Sequence, residues 1–176
     1  MKKFLAVVLA AASCFAATAC SNNTSADYIV LEDDFGAEEY GIGMRKGDAA
    51  FAAELQKVLD QMVKDGKTAE ISKKWFGTDI YFNDAKLPNE INPSSSDDSL
   101  KKIQDKKKIV LGLDDNFPPM GFRDDSGKIV GFDIDLATEA AKRMGVELQL
   151  QPIDWAAKEL ELNSGKIDVI WNGLTI

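Results

Sequence analysis

The sequence of 176 residues contains no histidine and only two cysteines. Without histidine, the chain cannot build a Ser-His-Asp triad or a Cys-His nucleophile, because both use an imidazole as the base. Zinc sites made of cysteine and histidine are excluded in the same way. Carboxylates are frequent, but none follow the spacing of an EF-hand calcium loop. Carboxylates alone could still carry out acid/base chemistry or bind calcium, but we expect a protein that is not an enzyme and that holds neither a metal nor a cofactor.

Acidic residues outnumber basic ones, at 29 Asp and Glu against 21 Lys and Arg, which gives a formal net charge of −8. A surface with this charge repels phosphate groups, so the sequence argues against a nucleic-acid partner. The simplest interpretation of the excess is a well-hydrated surface.

The N-terminus has the features of an export signal. Lys2 and Lys3 precede the apolar run 4–12, which is too short for a permanent membrane helix. Small residues then lead to Cys20. This pattern resembles a bacterial lipoprotein signal, which implies removal of residues 1–19, lipidation of Cys20 and a flexible tether over residues 20–27. Ordinary signal-peptidase cleavage after Ala19 is the alternative, and either way the protein is exported.

Export defines what the mature domain contains. Cys14 lies in the removed segment and Cys20 is the expected lipid acceptor, so the folded part has no disulfide and no thiol. A lipid anchor on Cys20 would be its sole contact with the membrane. We therefore expect the protein at the outer face of the cytoplasmic membrane or in the periplasm.

A first block of structure is expected over residues 28–83. Residues 40–45 have the composition of a short strand, and Asp48 is placed to cap a helix whose apolar residues recur at i, i+3, i+4 and i+7. A shorter helix follows and stops at Gly77. Residues 84–98 are rich in proline and serine, and they predict a flexible linker without a function of its own.

The second block, residues 99–176, alternates strands and helices. Strands are predicted over 108–113, 146–151 and 167–171, and helices over 131–144 and 155–164. This β-α-β-α-β order predicts an α/β fold of three layers, with a mainly parallel sheet and helices on both faces. Asp133 and Asp135 form a carboxylate pair, and we interpret Asp133 as the N-cap of the first of these helices.

Three segments leave the carboxyl ends of the predicted strands, where open parallel sheets bind their ligands. The first segment is residues 114–122, the second is 153–155 and the third is 171–175, and all three are expected as loops. Their aromatic rings could cover the carbon atoms of a small zwitterion, while N–H and O–H groups meet its carboxylate. The alternative is that the aromatic residues are core or rim residues and that Gly173 is only a turn residue.

The motif Asp114-x-x-Phe-Pro-Pro-Met-Gly-Phe resembles family 3 extracellular solute-binding proteins, and so do Gly127 to Leu136 and Gly165 to Ile176. The stretch from Tyr40 to Gly77 resembles the extreme C-terminal part of the same family. The resemblance implies one lobe of a type II periplasmic-binding-protein fold. Because the C-terminal part of lobe one (28–83) precedes its N-terminal part (99–176), it also implies a circular permutation, with Ile176 at the first hinge.

The resemblance further implies a set of ligand contacts in this lobe. Phe117 and Trp155 would flank the ligand side chain, while the Gly173 N–H and the Thr175 hydroxyl would hold the α-carboxylate. The arginine that clamps the carboxylate lies beyond Ile176 in the family, and the acidic residue for the amino group lies in the other lobe. The full set is Asp114, Phe117, Trp155, Asn172, Gly173 and Thr175.

The implied function is extracytoplasmic binding of an amino acid or a similar zwitterion for an ABC importer. Its partners would be the ABC permease and a chain that supplies lobe two, because a single lobe cannot close over a ligand. Binding by the lone lobe would be weak. A docking or sensor domain without a transport role is an alternative, and so is a rearranged fragment without function.

Overall fold

The computed structural model describes residues 38–81 and 91–176, all of which belong to one structural unit that begins at Glu38. The predicted signal segment, Cys20, the tether 20–27 and the first part of the linker lie outside the described residues. Within the described ranges, no helix is long and apolar enough to cross a membrane.

The first block contains one strand and two helices, as the sequence predicts. Strand β1 is Tyr40–Gly43, helix α1 is Ala49–Lys64 and helix α2 is Lys67–Phe76. Gly77 ends α2 with a left-handed backbone at φ 74°. Asp48 stands at the N-cap of α1, but its side chain makes no capping hydrogen bond. It pairs instead with Arg45, at 2.7 Å from Nε.

The second block has the predicted alternation and four further elements. Helix α3 (Ser99–Lys106) and strand β2 (Lys108–Leu113) are followed by the short strands β3 (Asn116–Phe117), β4 (Gly121–Arg123) and β5 (Ile129–Val130). The block ends with helix α4 (Phe132–Arg143), strand β6 (Glu147–Pro152), a 3₁₀ turn (Trp155–Ala157), helix α5 (Lys158–Asn163) and strand β7 (Val169–Thr175). Helix α3 and the strands β3, β4 and β5 were not predicted.

The main sheet has the strand order β1-β7-β2-β6, and β3, β4 and β5 form a separate antiparallel sheet. Strand β2 runs parallel to both β6 and β7, whereas β1 pairs antiparallel with β7. The predicted class, α/β with a mainly parallel sheet, is therefore confirmed. The first block contributes the antiparallel edge strand.

Alternating residues of β2 show that helices cover both faces of the sheet. Ile109, Leu111 and Leu113 belong to the larger core, which also contains Phe51 of α1. Val110 belongs to a second cluster with Leu162 of α5. Successive residues of a strand point to opposite faces. The larger core takes residues from both blocks, so the two blocks share one hydrophobic interior.

The last residues of the predicted linker are part of the fold. The Asp97 carboxylate accepts hydrogen bonds from the N–H groups of Ala50, at 2.7 Å, and of Ser99, at 2.9 Å. The prediction of a linker without a role of its own is therefore wrong for its final residues, because they satisfy the N-terminus of α1. Residues 82–90 lie outside the described part of the chain.

A second connection between the blocks is an ion-pair cluster around Asp168, which is 4% exposed. Its carboxylate pairs with Lys106 and accepts the Val110 N–H at 2.7 Å. Arg45 of the first block lies 3.5 Å away and also donates to the carbonyl oxygen of Ile167, at 2.7 Å. This cluster fixes the start of β7 against β2 and the loop that follows β1.

Candidate functional site

The first and third segments meet at the carboxyl end of β2. The backbone N–H of Asp114 donates to Oδ1 of Asn172, at 3.1 Å. Asn172 is only 1% exposed, because its amide lies against Gly121, where an added Cβ would be 2.4 Å from Nδ2. The Asn172 side chain is therefore placed beneath the surface of the site, where it joins the two segments. A ligand on the surface of the site would not touch the Asn172 side chain as it lies in this structure.

Phe117 forms the exposed aromatic surface of the site. Its ring packs on Gly173, whose backbone has φ 56° and where an added Cβ would be 2.5 Å from Cε1 of the ring. A side chain at position 173 would occupy the space of the ring, so glycine is needed there for both conformation and contact. Phe117 remains 40% exposed. The structure thus brings together the two predicted residues Phe117 and Gly173.

The third segment is a strand and not the loop that was expected. Strand β7 continues to Thr175 because Tyr40 and Gly41 of β1 pair with Thr175 and Leu174 after the parallel pairing with β2 has stopped at Ile170. The interstrand pairing that extends β7 comes from the first block, far away in the sequence. Thr175 is exposed at the end of this strand.

Trp155 begins the 3₁₀ turn after β6, and Asp154 caps this turn by accepting the Ala156 N–H at 3.0 Å. The Trp155 ring is partly buried against the second hydrophobic cluster, and Nζ of Lys158 lies 5.2 Å from its centroid. Among the described residues, no hydrogen bond or ring contact joins Trp155 or Thr175 to Phe117. The six predicted site residues therefore form one joined group and two separate positions along the same edge of the sheet.

Asp133 belongs to the site, although the sequence analysis assigned it another role. Helix α4 begins at Phe132, before Asp133, with Gly131 as its N-cap and no side-chain capping bond. The carboxylate of Asp133 instead accepts the backbone N–H of Gly173, at 2.7 Å. The interpretation of Asp133 as a helix N-cap is wrong. The expectation that the Gly173 N–H is available to a ligand carboxylate also fails in this structure, since Asp133 takes that donor.

The Asp133 carboxyl is 4% exposed, and its burial raises its pKa to about 6. Hydrogen bonds from Gly173 and from the Trp171 side chain oppose this shift, because they favour the charged form. Asp133 is thus a carboxyl group that changes its charge close to neutral pH at the base of the site.

The remaining acidic residues of the site do not form a metal centre. Within residues 38–81 and 91–176, no group of three or more Asp, Glu, Cys or His side chains is placed to hold a metal ion. Asp114 instead shapes the first segment, where its Oδ1 accepts the Asn116 N–H at 2.9 Å. The arrangement offers an exposed ring, hydroxyl and carboxylate groups and backbone polar atoms, which suit a small polar organic molecule.

The chain matches the family model for bacterial extracellular solute-binding proteins, family 3, over residues 5–78 and 109–176. Similar curated proteins carry the names of amino-acid-binding components. The L-cystine-binding protein TcyJ of Escherichia coli (strain K12) is 38% identical over 77 residues, which are 44% of this chain and 29% of that protein. The probable ABC transporter arginine-binding protein ArtJ of Chlamydia trachomatis serovar D is 36% identical over 70 residues, 40% of this chain and 27% of that protein.

A solved structure is also similar to part of this chain. The polar amino acid ABC uptake transporter substrate-binding protein from Streptococcus thermophilus has 45% sequence identity and a TM-score of 0.42, over 43% of this chain and 29% of that chain. The matches with these three proteins thus span less than a third of each relative's length.

Proposed function

Because the chain belongs to the bacterial extracellular solute-binding proteins of family 3, we propose that it binds an amino acid or a similar small zwitterion outside the cytoplasm, as a component of an ABC-type amino-acid importer. The structural observation that carries the proposal is the Phe117 ring, held on Gly173 and still 40% exposed at the carboxyl end of the sheet. Relatives named for binding L-cystine and arginine support an amino acid as the ligand.

We assign the ligand contacts as follows. Phe117 and Trp155 flank the ligand side chain, and the Thr175 hydroxyl holds the α-carboxylate. The Gly173 N–H is not assigned to the ligand, because it donates to Asp133. Gly173 instead supplies the surface on which the Phe117 ring packs. Asp114 and Asn172 keep the first segment in place through the hydrogen bond between them. No catalytic role is assigned to any of these residues.

Binding by this chain alone is proposed to be weak. The matched part covers less than a third of the curated relatives, and we propose that a second lobe completes the ligand site. An interaction with a charged group contributes about 1.5–3 kcal/mol, so a ligand held without such a contact binds more than tenfold more weakly. The other proposed partner of this protein is the ABC permease of the importer.

Calorimetric titration of the purified protein with a panel of amino acids, including L-arginine and L-cystine, tests the proposal. We expect saturable heat with at least one of them, lost in Phe117→Ala and in Thr175→Ala. Ile80→Ala is the matched control, because Ile80 is 48% exposed but lies outside the three segments. A folded protein that gives no heat with any amino acid of the panel would contradict the proposed function.

We also propose that the two blocks are the permuted halves of one lobe. The shared core and the antiparallel pairing of β1 with β7 support this arrangement. Tyr40 lies opposite Thr175 in that pairing, so a Tyr40→Cys/Thr175→Cys protein should form an internal disulfide on mild oxidation. In a Tyr40→Cys/Ser126→Cys protein the two positions are not paired, so the introduced cysteines should remain reduced. Equal cross-linking of both would contradict a specific β1–β7 contact.

The lipid anchor is a proposal on residues outside the described ranges. We propose cleavage before Cys20 and lipidation of its thiol, which would keep the protein at the outer face of the cytoplasmic membrane or in the periplasm. Labelled fatty acid should enter the wild-type protein and the Cys14→Ala variant but not Cys20→Ala. Label in Cys20→Ala would show that the cysteine is not the acceptor, and secretion would then follow from ordinary cleavage.

A further inference from the structure

Asp133 connects two of the three site segments through two different parts of the same residue. Its backbone N–H donates to the carbonyl oxygen of Met120 in the first segment, at 3.0 Å. Its carboxylate accepts the N–H of Gly173 in the third segment, at 2.7 Å. The neighbouring Phe132 N–H adds a bond to the carbonyl oxygen of Pro119, at 2.8 Å. The N-terminus of α4 thus holds both segments.

The surroundings of Asp133 make its carboxylate the strong member of this connection. It has only 4% of its surface exposed, and it makes no ion pair within the described part of the chain. The Gly173 N–H on β7 supplies its hydrogen bond, and the Trp171 side chain also favours its charged form. On β1, the pKa of Tyr40 is raised, chiefly by its hydrogen bond to Glu38 and in smaller part by the charge of Asp133.

We propose that Asp133 is the positioning residue of the site, whose ionised carboxylate orients the Gly173 backbone and thereby seats the Phe117 ring. The inference rests on the proposed function, because it gives a role to the surface on which the ligand would lie. Asp133 does not touch the ligand and acts through Gly173.

A physical reason links the charge of Asp133 to the position of Phe117. Hydrogen bonds to an ionised acceptor are about twice as strong as neutral ones, so protonation weakens the hold on the Gly173 N–H. Gly173 has no side chain of its own to fix it, and its φ of 56° lies in the left-handed region. When this peptide reorients, the ring of Phe117 loses the surface on which it packs.

The contact can be tested without a ligand, by following the Gly173 amide resonance of the full protein by NMR between pH 4.5 and 8. The chain contains no histidine, so no imidazole can account for a titration near pH 6, where the buried Asp133 carboxyl is expected to titrate. We expect the Gly173 amide to move with a midpoint near pH 6 in the wild type and in Asp135→Asn, but not in Asp133→Asn. Asp135 is a matched control two residues along the same helix, where it binds Lys74 and Trp75.

The same three proteins are then titrated with L-arginine and L-cystine at pH 7.5 and pH 5. For the amino acid that binds, we expect the wild type and Asp135→Asn to lose about three- to tenfold in affinity at pH 5, as the charge-assisted bond weakens. Asp133→Asn should bind weakly at both pH values. A flat wild-type profile, or one shared by Asp133→Asn, would overturn the positioning role while leaving the proposed function intact.

Failure of the proposed function gives a different pattern. If no amino acid of the panel binds, the proposed function loses its support, and the Gly173 titration still decides the contact in the free protein. A Gly173 amide that does not titrate in the wild type overturns the inference even when an amino acid binds.

Discussion

Ser99 caps a helix to which it does not belong: its hydroxyl oxygen accepts the N–H of Phe51, at 3.0 Å, across 48 positions of sequence. Phe51 lies in the first turn of α1, where N–H groups have no partner within the helix. Asp97 satisfies the neighbouring N–H of Ala50, at 2.7 Å. The start of α3 and the end of the linker therefore complete α1, and this contact couples the two blocks at their helical layer.

Ser99→Ala should lower the free energy of unfolding by about 1 kcal/mol, the typical cost of losing a capping side chain. Ser99 is 6% exposed, so water cannot easily replace the lost acceptor. Urea unfolding followed by circular dichroism measures the change. Ser96→Ala is the control, since Ser96 is exposed and its side chain hydrogen-bonds to the Ser94 hydroxyl and not to α1. Equal stability of the two variants would mean that Ser99 does not cap α1.

Asp168→Ala should cost more, about 2–4 kcal/mol, because it removes the buried acceptor of Val110 and leaves Lys106 and Arg45 without their shared anion. Urea unfolding again gives the difference. Asp105→Ala provides a matched carboxylate on α3: its partner is Lys101, and both side chains are more than 60% exposed. Exposed pairs contribute about 0–1 kcal/mol, so this variant should be almost as stable as the wild type. Similar losses in both would argue against a clamp at Asp168.

The sequence predicts the elements whose apolar residues follow a clear period. Strand β2 has its predicted bounds and α4 lies within one residue of its own. Helix α1 begins directly after the predicted cap residue Asp48, and α2 ends at the predicted stop, Gly77. Helix α3 has only Ile103 as a buried apolar residue, so it shows no apolar face in the sequence. Strands β3, β4 and β5 have two or three residues each, too few for an alternating pattern.

The site was predictable as a set of positions at one edge of the sheet, but its internal contacts were not. Asp133 has the residue type and approximate place of an N-cap, and local sequence favours that interpretation. The competing partner, the Gly173 N–H, lies 40 residues away and becomes visible only when α4 packs beside β7. The burial of Asn172 has the same origin, since Gly121 and Asp114 enclose it from another segment.

The stability of the protein should depend on pH through Asp133. Burial raises the pKa of this carboxyl to about 6 in the folded protein, against 3.8 as its ordinary value. Between these two values the folded state binds a proton that the unfolded state does not, so the contribution of Asp133 to stability rises as pH falls from 6 to 4. The full difference is about 3 kcal/mol.

Thermal unfolding of the wild type and Asp133→Asn across pH 4 to 8 measures this effect. The wild type should gain stability relative to Asp133→Asn as the pH is lowered through 6, because asparagine carries no charge at any pH. A constant difference between the two proteins would show that Asp133 does not titrate in this range. Asp135→Asn serves as the control on the same helix.

Gly173→Ala tests the surface on which Phe117 rests. Alanine at φ 56° costs about 1–2 kcal/mol, because left-handed backbone is unfavourable for residues with a Cβ. Gly127→Ala has the same kind of cost at φ 81° but meets no atom within 4 Å. Urea unfolding should therefore show similar losses for both variants, since the Phe117 ring is partly exposed and can move aside.

The difference between Gly173→Ala and Gly127→Ala should appear in the site itself. The aromatic resonances of Phe117 should shift in Gly173→Ala alone, and amino-acid binding should weaken there and not in Gly127→Ala. Unchanged Phe117 resonances in Gly173→Ala would show that the ring does not pack on residue 173, and the proposed ligand surface would then need another support.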